Sequence, residues 1–329
     1  MEKQFDFMAI GDIVTDAFIR LKDAEVHCDI DEAHCKLCVR FGDKIPYESV
    51  EEVKAVGNSA NAAVAAARLG LSASLLAHVG NDYQGTGCLD TLKAEQVDTS
   101  LIGVHDGLPT NYHYVLWYGV ERTILVKHTH FPVSFPMGLQ PPKMMYLSSL
   151  GDGTEAYHQE IAAYIEAHPE IKLVFQPGTF QMKMGIELLA RLYKHTYAFF
   201  CNVEEAQRIL KTEEKDINIL TAKIHELGPR LVFIHNGIKG AYGSDGTNLY
   251  YVPVYPHDPF ERTGAGDAFA STVSAALLMG KTLEEALLWG PVNSMSVVQQ
   301  VGAQKGLLSR EKLEAYLKIA PADYQIKKL

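Results

Sequence analysis

Thr263-Gly264-Ala265-Gly266-Asp267 sets a carboxylate directly after a Gly-Ala-Gly turn, at the head of an uncharged apolar stretch, 268–279. That stretch reads as a buried helix, so residues 263–267 fall at its N-terminus. Backbone N–H groups there lack intrahelical acceptors, and the helix dipole adds positive potential. Glycines let a ligand approach the main chain closely. Together these features predict an anion site. A carboxylate is out of place beside a bound anion unless it has a task, and the economical task for Asp267 is that of a general base. It would take the proton from a hydroxyl as that hydroxyl attacks phosphorus. The competing reading is an acidic first-turn residue that complements the dipole.

Other residues are placed to bind. In Gly11-Asp12-Ile13-Val14-Thr15-Asp16, after the first apolar run, a carboxylate can accept hydrogen bonds from two neighbouring sugar hydroxyls; a turn aspartate capping a loop is the alternative. Val56-Gly57-Asn58-Ser59-Ala60-Asn61 leads into an alanine-rich helix suited to close packing on a sheet. Asn202-Val203-Glu204-Glu205 has an N-cap residue followed by acidic first-turn residues. Asn236-Gly237-Ile238-Lys239-Gly240 is a glycine-bounded loop behind an apolar run, with Lys239 either a phosphate contact or a solvated lysine. Gly119-Val120-Glu121-Arg122-Thr123 reads as a hairpin turn whose Arg122 either reaches a ligand or makes an exposed charge pair. His27, Cys28, His34, Cys35 and Cys38 crowd one segment, and the two-residue gap between Cys35 and Cys38 suits zinc. No second paired motif accompanies it, and strand alternation accounts for the same residues without metal.

The elements that must position these residues alternate. Apolar runs at 5–10, 74–79, 144–147, 172–175, 198–200 and 231–234 read as buried strands. Segments 58–69, 83–95, 155–168, 184–194, 203–210, 216–227 and 263–279 read as helices. This order predicts an α/β fold with a mostly parallel sheet covered on both faces, and ligands at the loops beyond the strand C-termini. Segments 17–55 and 110–127 break the rhythm. The first is polar, acidic and rich in Cys and His, and the second reads as a hairpin around Gly119; the two can pair as one small sheet.

With 329 residues the chain can bury a large core. Its net charge of −10 excludes non-specific binding to nucleic acid or an anionic membrane. No apolar run is long enough to span a bilayer. The start, Met1-Glu2-Lys3-Gln4-Phe5-Asp6, lacks the order of a signal peptide, and the five cysteines include an odd one. A reduced, cytoplasmic protein is therefore expected.

In order along the chain, these motifs resemble those of the PfkB/ribokinase family of small-molecule (carbohydrate) kinases, from Gly11 to Gly302. Thr263-Gly264-Ala265-Gly266-Asp267 matches the family's C-terminal signature; Gly57 and Asn61 match its Gly-Gly-x-x-x-Asn motif with Val56 at the first glycine; Asn202 and Glu205 match its Asn-x-x-Glu motif. Arg68-Leu69-Gly70 and Gly80-Asn81-Asp82-Tyr83-Gln84-Gly85 match structural landmarks. The resemblance implies a three-layer ribokinase-like sandwich, with residues 1–16, 56–109 and 128–329 as the main domain and 17–55 and 110–127 as a β lid. It implies Asp267 as catalytic base and Gly264, Ala265 and Gly266 as an anion hole. Asp16, Gly57, Asn61 and Arg122 become candidate substrate ligands. Asn202, Glu205, Asn236, Gly237, Gly240, Thr263 and Asn293 become candidate ATP ligands, with Glu205 holding Mg²⁺ through water. Glu261-Arg262 stands where many members have Asp-Thr, so a monovalent cation stays open, with Glu261 either a ligand to it or a partner of Arg262. The implied reaction is ATP-dependent phosphorylation of a sugar-like hydroxyl. A nucleoside acceptor, with Tyr112, Tyr114, Trp117 or Tyr118 stacking on a base, and a non-catalytic nucleotide-binding regulator on the same fold are the alternatives. A homodimer formed through the lid is the expected assembly.

Overall fold

A computed structural model describes residues 4–28, 35–119 and 121–329. In chain order the elements are β1 (Phe7–Ile10), β2 (Val14–Leu21), β3 (Glu25–His27), β4 (Lys36–Cys38), β5 (Tyr47–Val56), α1 (Asn58–Arg68), β6 (Ala73–Gly80), α2 (Tyr83–Ala94), β7 (Ile102–His105), β8 (Asn111–Tyr118), β9 (Glu121–Leu125), β10 (Met144–Leu147), α3 (Glu155–Ala167) and β11 (Lys172–Phe175). There follow α4 (Thr179–Met184), α5 (Ile186–His195), β12 (Thr196–Asn202), α6 (Val203–Leu210), α7 (Ile217–Glu226), β13 (Leu231–His235), β14 (Ala241–Ser244), β15 (Leu249–Val252), α8 (Ala265–Leu278), α9 (Leu283–Val297), α10 (Arg310–Lys318) and β16 (Lys327–Lys328).

The large sheet has the order β16-β15-β14-β13-β12-β11-β10-β1-β6-β7. It is parallel from β7 through β13 and antiparallel from β13 onward. Its central strands, such as β1 and β10, are buried on both faces, as a sheet covered by helices requires. Along β1, Phe7 and Ala9 join the core with α1, α2, α8, α9 and α10, while Met8 and Ile10 join the core with α3, α5, α6 and α7. The chain leaves β1 toward β6 on one side and returns to β10 on the other. The end of β1 is therefore a topological switch point, where a crevice opens in such sheets.

Segments 17–55 and 110–127 do meet in a smaller sheet, of order β5-β2-β8-β9. It starts at Val14, which pairs with Val56, so Asp16 lies within a strand of the small sheet rather than in a turn after β1. Helix boundaries follow local chemistry. Asp82, Asp216, Thr282 and Ser309 cap helices with their side chains, and Asn202 with Glu205 forms a capping box. The helix expected over 184–194 begins instead at Ile186, because Gly185 takes φ +85° and separates α4 from α5. Among the described residues, no helix is long and apolar enough to cross a membrane.

The expectation of reduced cysteines is corrected at one pair. Antiparallel pairing of β3 with β4 brings His27 opposite Lys36 and so sets Cys28 beside Cys35, and the two form a disulfide. Two thiols of the candidate zinc cluster are thereby spent. Cys38, Cys88 and Cys201 are free thiols, and His34 lies outside the described residues. No group of three or more metal-ligating side chains occurs among the described residues.

Arg68, at the end of α1, locks the far end of the fold. Its guanidinium holds both oxygens of Glu95 at 2.7 and 2.8 Å and donates to the carbonyls of Gln304 and Leu307. The pair is three-quarters buried and bidentate, the geometry in which an ion pair contributes. Arg68→Ala is expected to lower the free energy of unfolding by about 2–4 kcal/mol, because Glu95 and two carbonyls lose their donors together. Urea titration of the variant checks this, and a loss under about 0.5 kcal/mol would contradict it.

Candidate active site

A cleft of about 560 Å³ lies between the two sheets and the head of α8. Gly264 takes the left-handed conformation that starts α8, and a Cβ there would lie 2.4 Å from that of Ala303, so glycine is required twice over. The helix then opens with Ala265, Gly266 and Asp267, whose N–H groups have no preceding turn to bond to. These residues and Thr263 line the cleft.

Three side-chain amides hold the Asp267 carboxylate. Asn58 Nδ2 donates to Oδ1 at 2.8 Å, Asn61 Nδ2 to Oδ2 at 2.8 Å and Gln176 Nε2 to Oδ1 at 3.2 Å. The amides are themselves oriented. Tyr146 donates its hydroxyl proton to Gln176 Oε1, and Gln304 Nε2 donates to Asn61 Oδ1 at 3.0 Å. Burial raises the Asp267 carboxyl above the usual carboxylate range, and the three amides pull it back toward ionisation. Asn61 faces the cleft, yet both ends of its carboxamide are engaged by protein, so it positions the carboxylate.

The wall nearest Asp267 is charged and polar. Asp12 follows β1, and Asp16 lies on β2 in register with His113 on β8. Gly57 caps α1 at φ +110°, where a Cβ would come within 2.6 Å of the Asp12 carbonyl. Arg122 lies 3.8 Å from Glu261, while Arg262 bonds Glu121 at 2.9 Å, so Glu261 and Arg262 do not pair with each other. The buried Glu261 carboxylate accepts from the N–H and hydroxyl of Thr263 and from the N–H of Gly302. Asn202 and Glu205 also line the cleft, where burial raises the Glu205 carboxyl.

Four residues expected at a nucleotide do not line this cleft. Asn236, Gly237 and Gly240 close a short 3₁₀ turn behind β13, through Asn236 N–H to the Gly240 carbonyl at 2.8 Å. Asn293 is fully buried on α9, donating to Thr272 and accepting from the Leu308 N–H, and so it ties α8 and α9 to the C-terminal loop. The aromatic candidates for base stacking also stand away from it. Tyr112 bonds Glu52 and packs on Tyr114, and Trp117 packs under Arg20 and against Phe260. The reading missed Asp12, Asn58, Gln176, His113, His128, Phe180 and His235, all in the wall. Asp12 and Asn58 sat inside motifs already singled out. Gln176, directly after β11, was marked only by its place at a strand end.

The fold is that of the ribokinase-like kinases. The structure of Arabidopsis thaliana ribokinase complexed with ribose and ATP superposes with a TM-score of 0.79 at 19% identity, covering 96% of this chain and 99% of that one. A putative ribokinase II from E. coli, in complex with ATP and Mg²⁺, gives 0.76 at 18% identity, covering 97% and 100%. The model of the pfkB family of carbohydrate kinases matches residues 26–310. Ribokinase of Bacillus subtilis is 30% identical over 267 residues, 79% of this chain and 87% of the relative. The 2-dehydro-3-deoxygluconokinase of Thermoproteus tenax is 26% identical over 289 residues, 83% of this chain and 88% of the relative. The chain belongs to the pfkB family and is a carbohydrate kinase of that family.

His235 lies under the first turn of α8, where a Cβ on Gly266 would approach its Nε2 to 3.2 Å. Burial holds its imidazole down at about 4, so it is neutral beside the helix N-terminus at neutral pH. Unfolding returns it to an ordinary value near 6.5, so the unfolded chain takes up the proton first and the fold loses stability as pH falls from 6.5 toward 4. His78, held at about 4 by burial and by His105, acts in the same direction. His235→Gln is expected to remove about 1–3 kcal/mol of the stability lost over that window. Urea unfolding at both ends of the window reads it, and an undiminished loss in the variant would contradict an imidazole held neutral beneath α8.

Proposed function

We propose that this carbohydrate kinase transfers the γ-phosphoryl group of ATP to a sugar hydroxyl, with Asp267 as the base. The observation that carries the reading is a carboxylate fixed by three amides at the open N-terminus of α8, in the wall of a cleft. Burial raises its pKa, which makes it a better proton acceptor than an exposed aspartate. The acceptor hydroxyl gives its proton to Asp267 as its oxygen attacks the γ-phosphorus, and ADP leaves. The N–H groups of Ala265, Gly266 and Asp267 receive the negative charge on the transferring group. Asn58, Asn61 and Gln176 keep the carboxylate aimed. Phosphoryl transfer needs little beyond such positioning and charge stabilisation.

Asn202, Glu205 and Thr263 are the remaining candidates for the nucleotide end. Burial that raises Glu205 leaves a carboxylate that a cation would stabilise, and a hydrated Mg²⁺ suits one carboxylate reached through water. Held there, Mg²⁺ would neutralise phosphate charge. The relatives bear the names of different sugar kinases, among them ribokinase, fructosamine kinase and 2-dehydro-3-deoxygluconokinase, so their names do not choose the acceptor.

Asp267→Asn is expected to lower kcat about 10²–10⁴-fold with nucleotide affinity changed less than about threefold. ADP release with a panel of sugars, and nucleotide binding by calorimetry, measure the two. Near wild-type turnover in this variant would rule Asp267 out as the base.

A further inference from the structure

Between β9 and β10 the chain returns from the small sheet to the large one without helix or strand. Val126 and His128 of this segment line the cleft. The His128 ring stands edge-on to Phe180 at 5.5 Å and to His113 at 5.4 Å. A segment with no backbone ladder needs other anchors, or it opens locally at small cost. Two anchors are hydrogen bonds. Thr129 N–H donates to Asn111 Oδ1 at 2.7 Å, and Phe135 N–H donates to Glu160 Oε2 at 2.6 Å. Between them in sequence lies the Phe131 ring.

Phe131 rests on a pair of imidazoles. His78 Nδ1, near the end of β6, lies 2.9 Å from His105 Nε2, at the end of β7. The phenyl ring stacks on His78 at 6.1 Å and tilts on His105 at 5.1 Å. An N–H···N bond needs a proton on one nitrogen and a lone pair on the other. Burial and the neighbouring His105 keep His78 neutral, as the bond requires. His78 Nε2 is buried with no partner, so among the described residues the bond to His105 alone fixes that ring by hydrogen bonding. Gly103 makes the meeting possible. It pairs with His78 across β6 and β7, and a Cβ there would lie 2.6 Å from His78 Nδ1 and 3.1 Å from His105 Nε2. His78, His105 and Phe131 do not themselves line the cleft.

We propose that His78 and His105 are positioning residues of this kinase: through Phe131 they hold the segment 126–135 in place and so keep His128 in the wall of the cleft. That the sugar binds in this cleft rests on the phosphotransferase reading above; the anchor itself does not. Loss of the imidazole pair frees the segment at one anchor and lets His128 leave the wall. Asp267 and its three amides stand on other parts of the chain and stay in place. The effect therefore falls on sugar binding rather than on turnover.

The test uses the full chain. Lys127 is exposed and directly precedes His128, so trypsin cuts after it when the segment leaves its anchors. His105→Leu and Gly103→Ala are each expected to speed that cut about threefold to tenfold, the population shift of one lost hydrogen bond, with cleavage at other lysines unchanged. His105→Gln keeps a side-chain nitrogen to share with His78 and is expected to cut at the wild-type rate. Should one variant fail to fold, the other carries the test. An unchanged rate in the folded variants, or a glutamine variant that cuts as fast as the leucine variant, overturns the anchor. The second arm is kinetic, with MgATP and D-ribose, D-fructose or 2-keto-3-deoxy-D-gluconate, whichever gives the fastest ADP release with the wild type. His105→Leu and Gly103→Ala are expected to raise KM for that sugar about threefold to tenfold, with kcat and KM for ATP changed less than about twofold. Faster cutting with an unchanged sugar KM overturns the positioning role. No ADP release by the wild type with any acceptor overturns the phosphotransferase reading, and the cut after Lys127 then decides the anchor by itself.

Discussion

A carboxylate in the wall of a cleft, at the head of a helix, is the constraint on which the rest of this structure turns. Burial makes the ionised form of Asp267 costly, and three amides from two separate parts of the chain make it tolerable. An amide can present either its oxygen or its nitrogen, and only the nitrogen helps a carboxylate. The choice is made one bond further out. The Tyr146 hydroxyl occupies the oxygen of Gln176, and Gln304 occupies the oxygen of Asn61 while also holding the Ala55 carbonyl. Gln304 is held in turn by Arg68 through its own carbonyl. The orientation of the Asp267 carboxylate thus reaches back to the ion pair that closes the far end of α1.

The second constraint is the docking of the small sheet. Glu121 and Arg122 of β9 meet Arg262 and Glu261 just before α8, each acid opposite the base of the other segment. The exposed pair contributes little to stability, since solvent screens it. The buried Glu261 differs. It gathers Thr263, Gly302 and Arg122 around one carboxylate, and so it sets the turn that starts α8 in relation to both the small sheet and the C-terminal loop.

Local chemistry made much of this legible. A Gly-Ala-Gly turn before an apolar stretch marks a helix start, and residues 263–267 do open α8 at the cleft. The alternation of strand and helix also carried the sheet and its two covered faces. What stayed hidden depends on contacts far apart in sequence. Gln176 and Asp267 are 91 residues apart, and nothing near Gln176 announces its partner. Asn293 looked like a ligand because its neighbourhood matched, yet a helix position alone does not say which face turns to the cleft; this one turns into the core between α8 and α9. The split at Gly185 was missed because an isolated glycine in a helical pattern is often tolerated.

Strand parity explains why the three tyrosines of β8 stand away from the cleft and why a histidine lines it. Successive residues of β8 point to opposite faces. His113, Val115 and Trp117 share one face, and their partners across the antiparallel pairing with β9, Ile124 for Val115 and Arg122 for Trp117, line the cleft. Tyr112, Tyr114 and Tyr118 are on the other face by the same count. The parallel register of β2 with β8 then fixes Asp16 beside His113. A slip of one residue would turn a tyrosine inward and carry the imidazole out. This wall of the cleft therefore presents Asp16 and His113 in place of the tyrosines, an outcome decided by the pairing register as much as by the residues themselves.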